Sequence, residues 1–308
     1  MAQHSTGYTI GFAALVCVVC GVGIASAAVA LADRQAENKK LDQQKQVLVV
    51  AGLMKAGEKL SPDEVKKRFS DNIKPEVVDL KGGVAAQGID PISFDQRKAQ
   101  KDPAQSREAP ANAAKVLRLP NNALVYKVVK GNAVDTLIFP IEGYGLWSTL
   151  YGYIALDAKD ANTVKGITFY QHGETPGLGG EVDNPKWKDL WPGRKIYGNK
   201  GEPQIAVVKG KAGPAASDPY RVDGLSGATI TSNGVSNLVK FWFGPEGFGP
   251  YIQHFKAAGA SKSWTSRPRA SSSTRCSTTT RSPCRCSASA RRWRSRPSSR
   301  RPSSCRSR

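Results

Sequence analysis

The sequence predicts an α+β fold, an antiparallel-sheet domain preceded by one N-terminal transmembrane helix and a helical segment. Three observations carry that expectation. Residues 10–32 form an uncharged apolar run, residues 33–112 are polar with helical signals, and from Lys115 onward short β-like runs alternate with turns. Strands at such spacing, with few helices between them, pair with their neighbours as antiparallel sheet. A chain of 308 residues provides one or two domains with a sizeable core.

Residues 1–9 are a short leading segment. The run IGFAALVCVVCGVGIASAAVALA, Ile10 to Ala32, holds 23 residues without a charge. A helix crosses a bilayer with about 20 such residues, whereas a signal-peptide core has only about 7–15 and follows basic residues that are missing here. An uncleaved single-pass anchor is therefore expected. Arg34, Lys39, Lys40 and Lys45 follow it, and only His4 and the amino terminus precede it. Taken alone, that asymmetry favours the body on the cytoplasmic side. Cys17 and Cys20 make a C-x-x-C within the run. They read as small hydrophobes on a membrane helix, the alternative being half of a metal site completed by partner subunits.

Beyond the anchor, ENKKLDQQKQVLVVAGLMKAG places Val47, Leu48, Ala51 and Met54 at helical spacing. SPDE then supplies Ser61 as N-cap, Pro62 at the first helical position and Glu64 at the third, a capping box. Residues 86–112 are polar and Pro-bearing, and read as a surface loop. The runs KVLRL, ALVYKVV, AVDTLIFPI, LWSTLYGYIAL, VKGITFY and QIAVVK follow as strands, with one short helix at NPKWKDLW. Val235, Leu238, Val239 and Trp242 mark a last helix ending near Gly244-Pro245. No internal repeat is visible. The expected division is 1–9, 10–32 as membrane helix, 33–112 as helical and loop segment, 113–260 as the sheet domain, and 261–308 as a tail.

The net charge of +20 suggests nucleic acid until its location is considered. Residues 265–308 hold 13 Arg and no acid, so the body is only mildly basic and nucleic acid is set aside. The tail, built of Arg, Ser, Pro, Thr and Cys without Leu, Ile, Val, Phe or Tyr, cannot bury a core and is expected to be disordered. Lys, abundant up to Lys262, vanishes after it. A shifted reading frame in a GC-rich gene produces such a mixture, and that reading is preferred to a basic arm for nucleic acid or lipid. Residues 21–264 contain no Cys, so the body carries no disulfide, no Cys-based zinc site and no iron–sulfur cluster of its own.

The chemistry concentrates in DGLSGATITSNG, residues 223–234. Thr229 to Ser232 lie at or just before a helix N-terminus, where free amides and the helix dipole favour an anion. Gly227 and Ala228 allow a bulky group to approach the backbone. The turn thus accepts a phosphate, bound or bonded. The plainer reading is a capped helix start, with Ser226 as a turn hydroxyl and Thr231 and Ser232 as caps.

Asp223, Ser226, Gly227, Ala228 and Thr229 match D-x-x-(S/T)-G-A-T, and so resemble the domain family that carries flavin mononucleotide on a threonine. HGETPGLGG, His172 to Gly180, resembles that family's flavin-facing loop, and GYGLWSTLYGYIALD, Gly143 to Asp157, resembles the strands before it. With the single N-terminal helix, residues 1–260 resemble the C subunit of sodium-translocating NADH:quinone oxidoreductases, translocases that reduce ubiquinone. The resemblance implies an FMN-binding domain with FMN held to Thr229 by a phosphoester. A flavin transferase would install it from FAD and would recognise Asp223. The implied role is one-electron transport between an iron–sulfur donor and a second flavin subunit, from an inner-membrane anchor with the flavin domain on the periplasmic side. That side overrules the charge asymmetry. Ser226, Gly227, Ala228, Trp147, His172, Glu174, Thr175, Gly177 and Leu178 are the implied flavin neighbours.

Each neighbour has a plainer role. His172 is a turn residue, Glu174 and Thr175 shape the turn before Pro176, and Trp147 packs in the core. Leu178, between glycines, is the residue most suited to covering a ring. No nucleophile or acid/base constellation competes: His172 and His254 are far apart, and no G-x-S-x-G occurs. No residue is assigned as catalytic, since a flavin supplies its own chemistry. Two alternatives remain. One is the corresponding subunit of an Rnf-type ferredoxin-linked complex. The other is a membrane-tethered binding module without a redox cofactor, in which SGAT is only a turn.

Overall fold

The computed structural model describes residues 5–55, 57–131 and 133–258; the tail and its expected disorder lie outside them. Helix α1 runs unbroken from Thr6 to Val50, its start capped by Ser5, whose side chain accepts from the Tyr8 amide. Its 45 residues span about 67 Å at 1.5 Å per residue, twice the roughly 30 Å hydrocarbon core of a bilayer. Residues 5–40 are exposed all round, as suits an apolar span that meets lipid. Val47, Leu48 and Val50 at its far end are buried against the body. The helix stops earlier than its spacing predicts. Gly52, at φ +70°, turns the chain, and Met54 reaches the core from the turn.

Helix α2, Pro62–Asn72, has the expected box: Ser61 Oγ accepts from the Glu64 amide while Glu64 accepts from the Ser61 amide. Strand β1, Ile73–Asp79, follows directly and has no counterpart in the sequence reading. It is an edge strand, and Pro75 is tolerated there because an edge leaves backbone groups unpaired. The expected loop at 86–112 contains two elements. Helix α3, Gln96–Lys101, is nucleated by Asp95, whose carboxylate accepts from the Arg97 and Lys98 amides, and β2, Ser106–Glu108, pairs with β3, Arg118–Pro120.

The main sheet adds β4, Asn122–Lys130, β5, Ala133–Tyr144, β6, Thr149–Asp157, and β7, Val164–Gln171, in the order β1-β4-β5-β6-β7. All neighbours are antiparallel. A 3-10 turn at Gly179–Asp183 leads into α4, Pro185–Lys188. Only two residues of QIAVVK pair: β8, Ala206–Val207, lies parallel to β9, Arg221–Val222. Helices α5, Thr229–Trp242, and α6, Gly249–Ala257, complete the order.

Alternation divides the sheet between two cores. Leu137, Phe139 and Ile141 of β5 face α5 through Val235, Leu238, Val239 and Trp242. Ile138 of the same strand faces the opposite side, where Val47 and Leu48 of α1 and Val65 of α2 cover it. On that second side α1 runs antiparallel to β7. Gly166 abuts Val50, and two residues further along β7 the Thr168 hydroxyl donates to Gln46, earlier in α1, at 2.9 Å. The end of β7 and the loop after it therefore run back towards the apolar part of α1.

Phe139 is fully buried and meets the rings of Phe248 and Phe243 at 4.9 and 5.4 Å between centroids. Phe139→Ala is expected to cost about 3–5 kcal/mol, read as a lower urea midpoint at unchanged slope on the full chain in detergent.

Candidate functional site

Three segments meet at one corner of the body. They are the 145–148 turn between β5 and β6, the 172–180 loop after β7, and the chain entering α5. The residue joining them is Glu174, only 5% exposed. Its Oε1 accepts from the amides of Leu146, Trp147 and Ser148 at 3.0, 2.9 and 3.2 Å. Its Oε2 accepts from the Thr231 hydroxyl at 2.7 Å. Burial alone would raise its pKa, but the Thr231 hydroxyl and the three amides outweigh that and hold the carboxyl below the usual range.

Glycine makes this contact sterically possible. A Cβ at Gly145 would sit 2.6 Å from Glu174 Oε1, and one at Gly179 would sit 2.6 Å from Thr231 Oγ1 and 2.7 Å from Glu174 Oε2. Gly234, inside α5, lets the helix lie against the turn, since a Cβ there would be 2.6 Å from the Tyr144 carbonyl oxygen. The sequence reading did not single out these three glycines. A glycine inside a strongly periodic helix, Gly234, was the available signal, because it costs helix stability unless packing requires it.

Thr231 and Ser232 are not caps, contrary to expectation. Both are buried within α5. Thr231 serves Glu174, and the Ser232 hydroxyl accepts from the Leu225 amide at 3.1 Å, pinning the preceding turn. The N-cap position falls on Ala228, which has no side-chain oxygen to offer, so no side chain caps the helix. The first-turn amides of an α-helix lack intrahelical acceptors, so this start remains open to an outside oxygen. Thr229, the first helical residue, is exposed, and its hydroxyl makes no hydrogen bond among the described residues. Ser226 is also exposed, and Gly227 sits at φ +70°, a conformation other residues rarely adopt, where a Cβ would also push Leu178 Cδ2, 2.8 Å away, aside.

Trp147 does not pack in the core. It is 67% exposed because its turn projects from the body, held through its backbone amide by the Glu174 carboxylate rather than by packing of the indole. Leu178, Ile230, Leu146 and Tyr144 are likewise exposed, so an apolar rim adjoins the Thr229 hydroxyl. His172 is half-buried, and its Nδ1 accepts from the Glu174 amide at 3.4 Å, which makes it a turn-former; Thr175, through its carbonyl, accepts from the Gly180 and Leu178 amides. Gly177, at φ +76°, permits the turn between them. Asp223 is partly buried, its carboxylate accepting from the Ala212 amide at 2.9 Å and its carbonyl from the Trp187 indole. Cys17 and Cys20 lie exposed on α1, away from this corner in sequence.

The corner therefore offers an unpartnered hydroxyl at a positive helix end, a backbone approach kept clear by Gly227, and apolar surface beside it. Such a set suits a phosphorylated, flat aromatic group. Because Glu174 is depressed in the folded state, its contribution is present above the ordinary carboxylate pKa and is lost as the pH falls through the folded value. Glu174→Gln is expected to lose about 1–3 kcal/mol at neutral pH, and the gap to the parent protein should close as the pH drops below 4.5, the unperturbed value. Urea titrations of both proteins across pH check this.

Residues 145–244 match the FMN-binding domain family. The C subunit of the Na(+)-translocating NADH-quinone reductase of Pseudomonas aeruginosa is 48% identical over 261 residues, covering 84% of this chain and 99% of that protein. The C subunit of the Yersinia pestis reductase is 42% identical, covering 82% of this chain and 93% of its own length. The crystal structure of NqrC from Shewanella oneidensis superposes with a TM-score of 0.66 at 36% identity, covering 71% of this chain and 99% of that one. With identity of that level over nearly the whole length of its relatives, the chain belongs to the C-subunit family of the Na(+)-translocating NADH-quinone reductase.

Proposed function

We propose that this chain is the electron-carrying flavin subunit of a sodium-translocating NADH:quinone reductase, with FMN joined to Thr229 through a phosphoester. The observation that carries the reading is the Thr229 hydroxyl: exposed, without a partner among the described residues, and at the uncapped start of α5 within the matched FMN-binding domain. In this reading a flavin transferase delivers FMN from FAD. The Thr229 oxygen forms the new P–O bond, its proton is lost, and AMP leaves.

When bound, FMN supplies one-electron redox chemistry. The chain's residues do the rest. The amides at the start of α5 hold the phosphate oxygens and offset their charge. Leu178 and Trp147 cover apolar ring surface, and the exposure of the rim leaves a ring edge open to a redox partner. Ser226, Gly227 and Ala228 shape the approach, and Asp223 keeps the turn in the form the transferase reads. His172, Glu174, Thr175 and Gly177 act as the frame of the flavin loop. The immediate partners in this reading are an iron–sulfur donor and a second flavin subunit. The body stands on the periplasmic side of the inner membrane, anchored by α1.

Two measurements test the reading. In protein co-produced with an active flavin transferase, the peptide spanning Asp223–Asn233 should gain the mass of FMN less one water on Thr229. Thr229→Val should abolish the gain and the bound flavin absorbance. An unmodified peptide would reduce SGAT to a turn and remove the redox role. For sidedness, Glu202 is exposed and far along the chain from Cys17 and Cys20. Glu202→Cys should be alkylated in intact spheroplasts by a membrane-impermeant maleimide, as read on the peptide containing position 202. Labelling only after lysis would place the body in the cytoplasm.

A further inference from the structure

A second site lies on the other face of the sheet, between α1 and the segment that carries α3. A cavity of about 350 Å³ opens there. One wall is a single stripe of α1, Ala36, Lys39, Lys40, Gln43 and Val47, and the opposite wall is Ile92 to Lys98. Its floor is the sheet, through Tyr151 and Tyr170.

The cavity holds a cation whose hydrogen bonds are only partly answered among the described residues. The Arg97 guanidinium lies 3.5 Å from the centre of the Tyr151 ring and 5.4 Å from that of Tyr170. Its Nη1 donates to Gln171 Oε1 at 2.9 Å, but Nε and Nη2, both shut from water, have no acceptor among the described residues. Buried N–H groups of a charged side chain are rarely left so, because losing hydration without a replacement bond is costly. Glu142, on the same walls, feels the Arg97 charge but accepts its hydrogen bond from the Gln100 amide instead, and burial pushes its pKa up, towards the neutral form. Lys39, Lys40 and Lys98 add positive charge to the same walls, against Asp95 and Glu142.

Position narrows the occupant. Ala36 to Lys40 lie about 6–12 Å beyond Ala32, the end of the apolar run, at 1.5 Å per residue. The headgroup layer of a bilayer extends roughly 5–7 Å past the hydrocarbon core on each side. The mouth of the cavity thus overlaps the headgroup layer. Ile92, on the opposite wall, is 82% exposed, an apolar side chain left uncovered at the lip of the cavity. The antiparallel run of α1 and β7 brings Tyr170 and Gln171, and with them Arg97, to this end of the body.

We propose that this cavity is a juxtamembrane phosphate site, filled by the headgroup of an anionic phospholipid and closed on one side by α1. It rests on α1 crossing the membrane, but not on the flavin at Thr229. Arg97 makes the charge-assisted hydrogen bonds, with Lys39 and Lys40 attracting the lipid at the mouth.

The test uses the full chain in nanodiscs of phosphatidylcholine, with and without phosphatidylglycerol, followed by native mass spectrometry after gentle release. One phosphatidylglycerol per chain should be retained, and Arg97→Gln should lower its retention about tenfold. The double variant Lys39→Gln/Lys40→Gln lies on exposed helix surface and leaves the body intact. It should weaken retention while urea and circular-dichroism profiles stay unchanged. Radiolabelled inorganic phosphate, dialysed against the protein in pure phosphatidylcholine, separates the sources. Phosphate binding that depends on Arg97, without lipid retention, assigns the site to the free anion. Retention equal in the parent and Arg97→Gln proteins, or binding of neither probe, overturns the proposal. Peptide mass analysis at Thr229 reads the flavin independently.

Discussion

The carboxylate of Glu174 determines how the functional corner is put together. Two oxygens answer four donors, three from the 145–148 turn and one from α5. The buried Thr231 hydroxyl, left without this acceptor, would cost about 1–3 kcal/mol, a sizeable part of a domain's net stability. The bond to Thr231 also fixes the rotation of α5 about its axis. Thr229, two residues earlier, then points away from the packed side and into solvent. The Thr229 turn, the 172–180 loop and the apolar rim are thus registered to one another by a residue that is itself almost wholly buried.

Around that ion the packing is unusually dependent on missing side chains. Gly145, Gly179 and Gly234 allow backbone and carboxylate to approach where any Cβ would collide. The hydroxyls of α5 then knit its surroundings together. Ser232 holds the Leu225 amide, and Ser236 both accepts from the Val207 amide and donates to the Ser232 carbonyl. The polar residues crowded after SGAT are therefore internal fasteners of a helix whose first turn is left bare.

Long periodic features were legible in the sequence. The apolar run, the Ser61 box, the meander from β4 to β7 and the α5 stripe all follow from local pattern, and the D-x-x-S-G-A-T resemblance singled out the turn that the structure exposes. What was not legible depended on distant partners. Strand β1 contains Lys74, Pro75 and Glu76 and becomes a strand only because β4 offers an edge. Trp147 was expected in the core on hydrophobicity, yet its turn is held outward by Glu174, 27 residues away. The same is true of Thr231 and Ser232. Hydroxyls near a helix start look like caps until the fold supplies them with buried partners. The short α3 was hidden among loop-like residues because only Asp95 announces it.

The unbroken course of α1 has a mechanical consequence. No hinge separates the apolar stretch from the residues that lie against β6 and β7, and the seam is sealed by Val47, Leu48 and the Gln46–Thr168 bond. The anchor and the body are therefore one lever rather than a domain on a leash. Any swing or twist of the Thr229 corner must be accompanied by tilt or rotation of the whole helix. Whatever grips residues 10–32 thereby governs the reach of that corner.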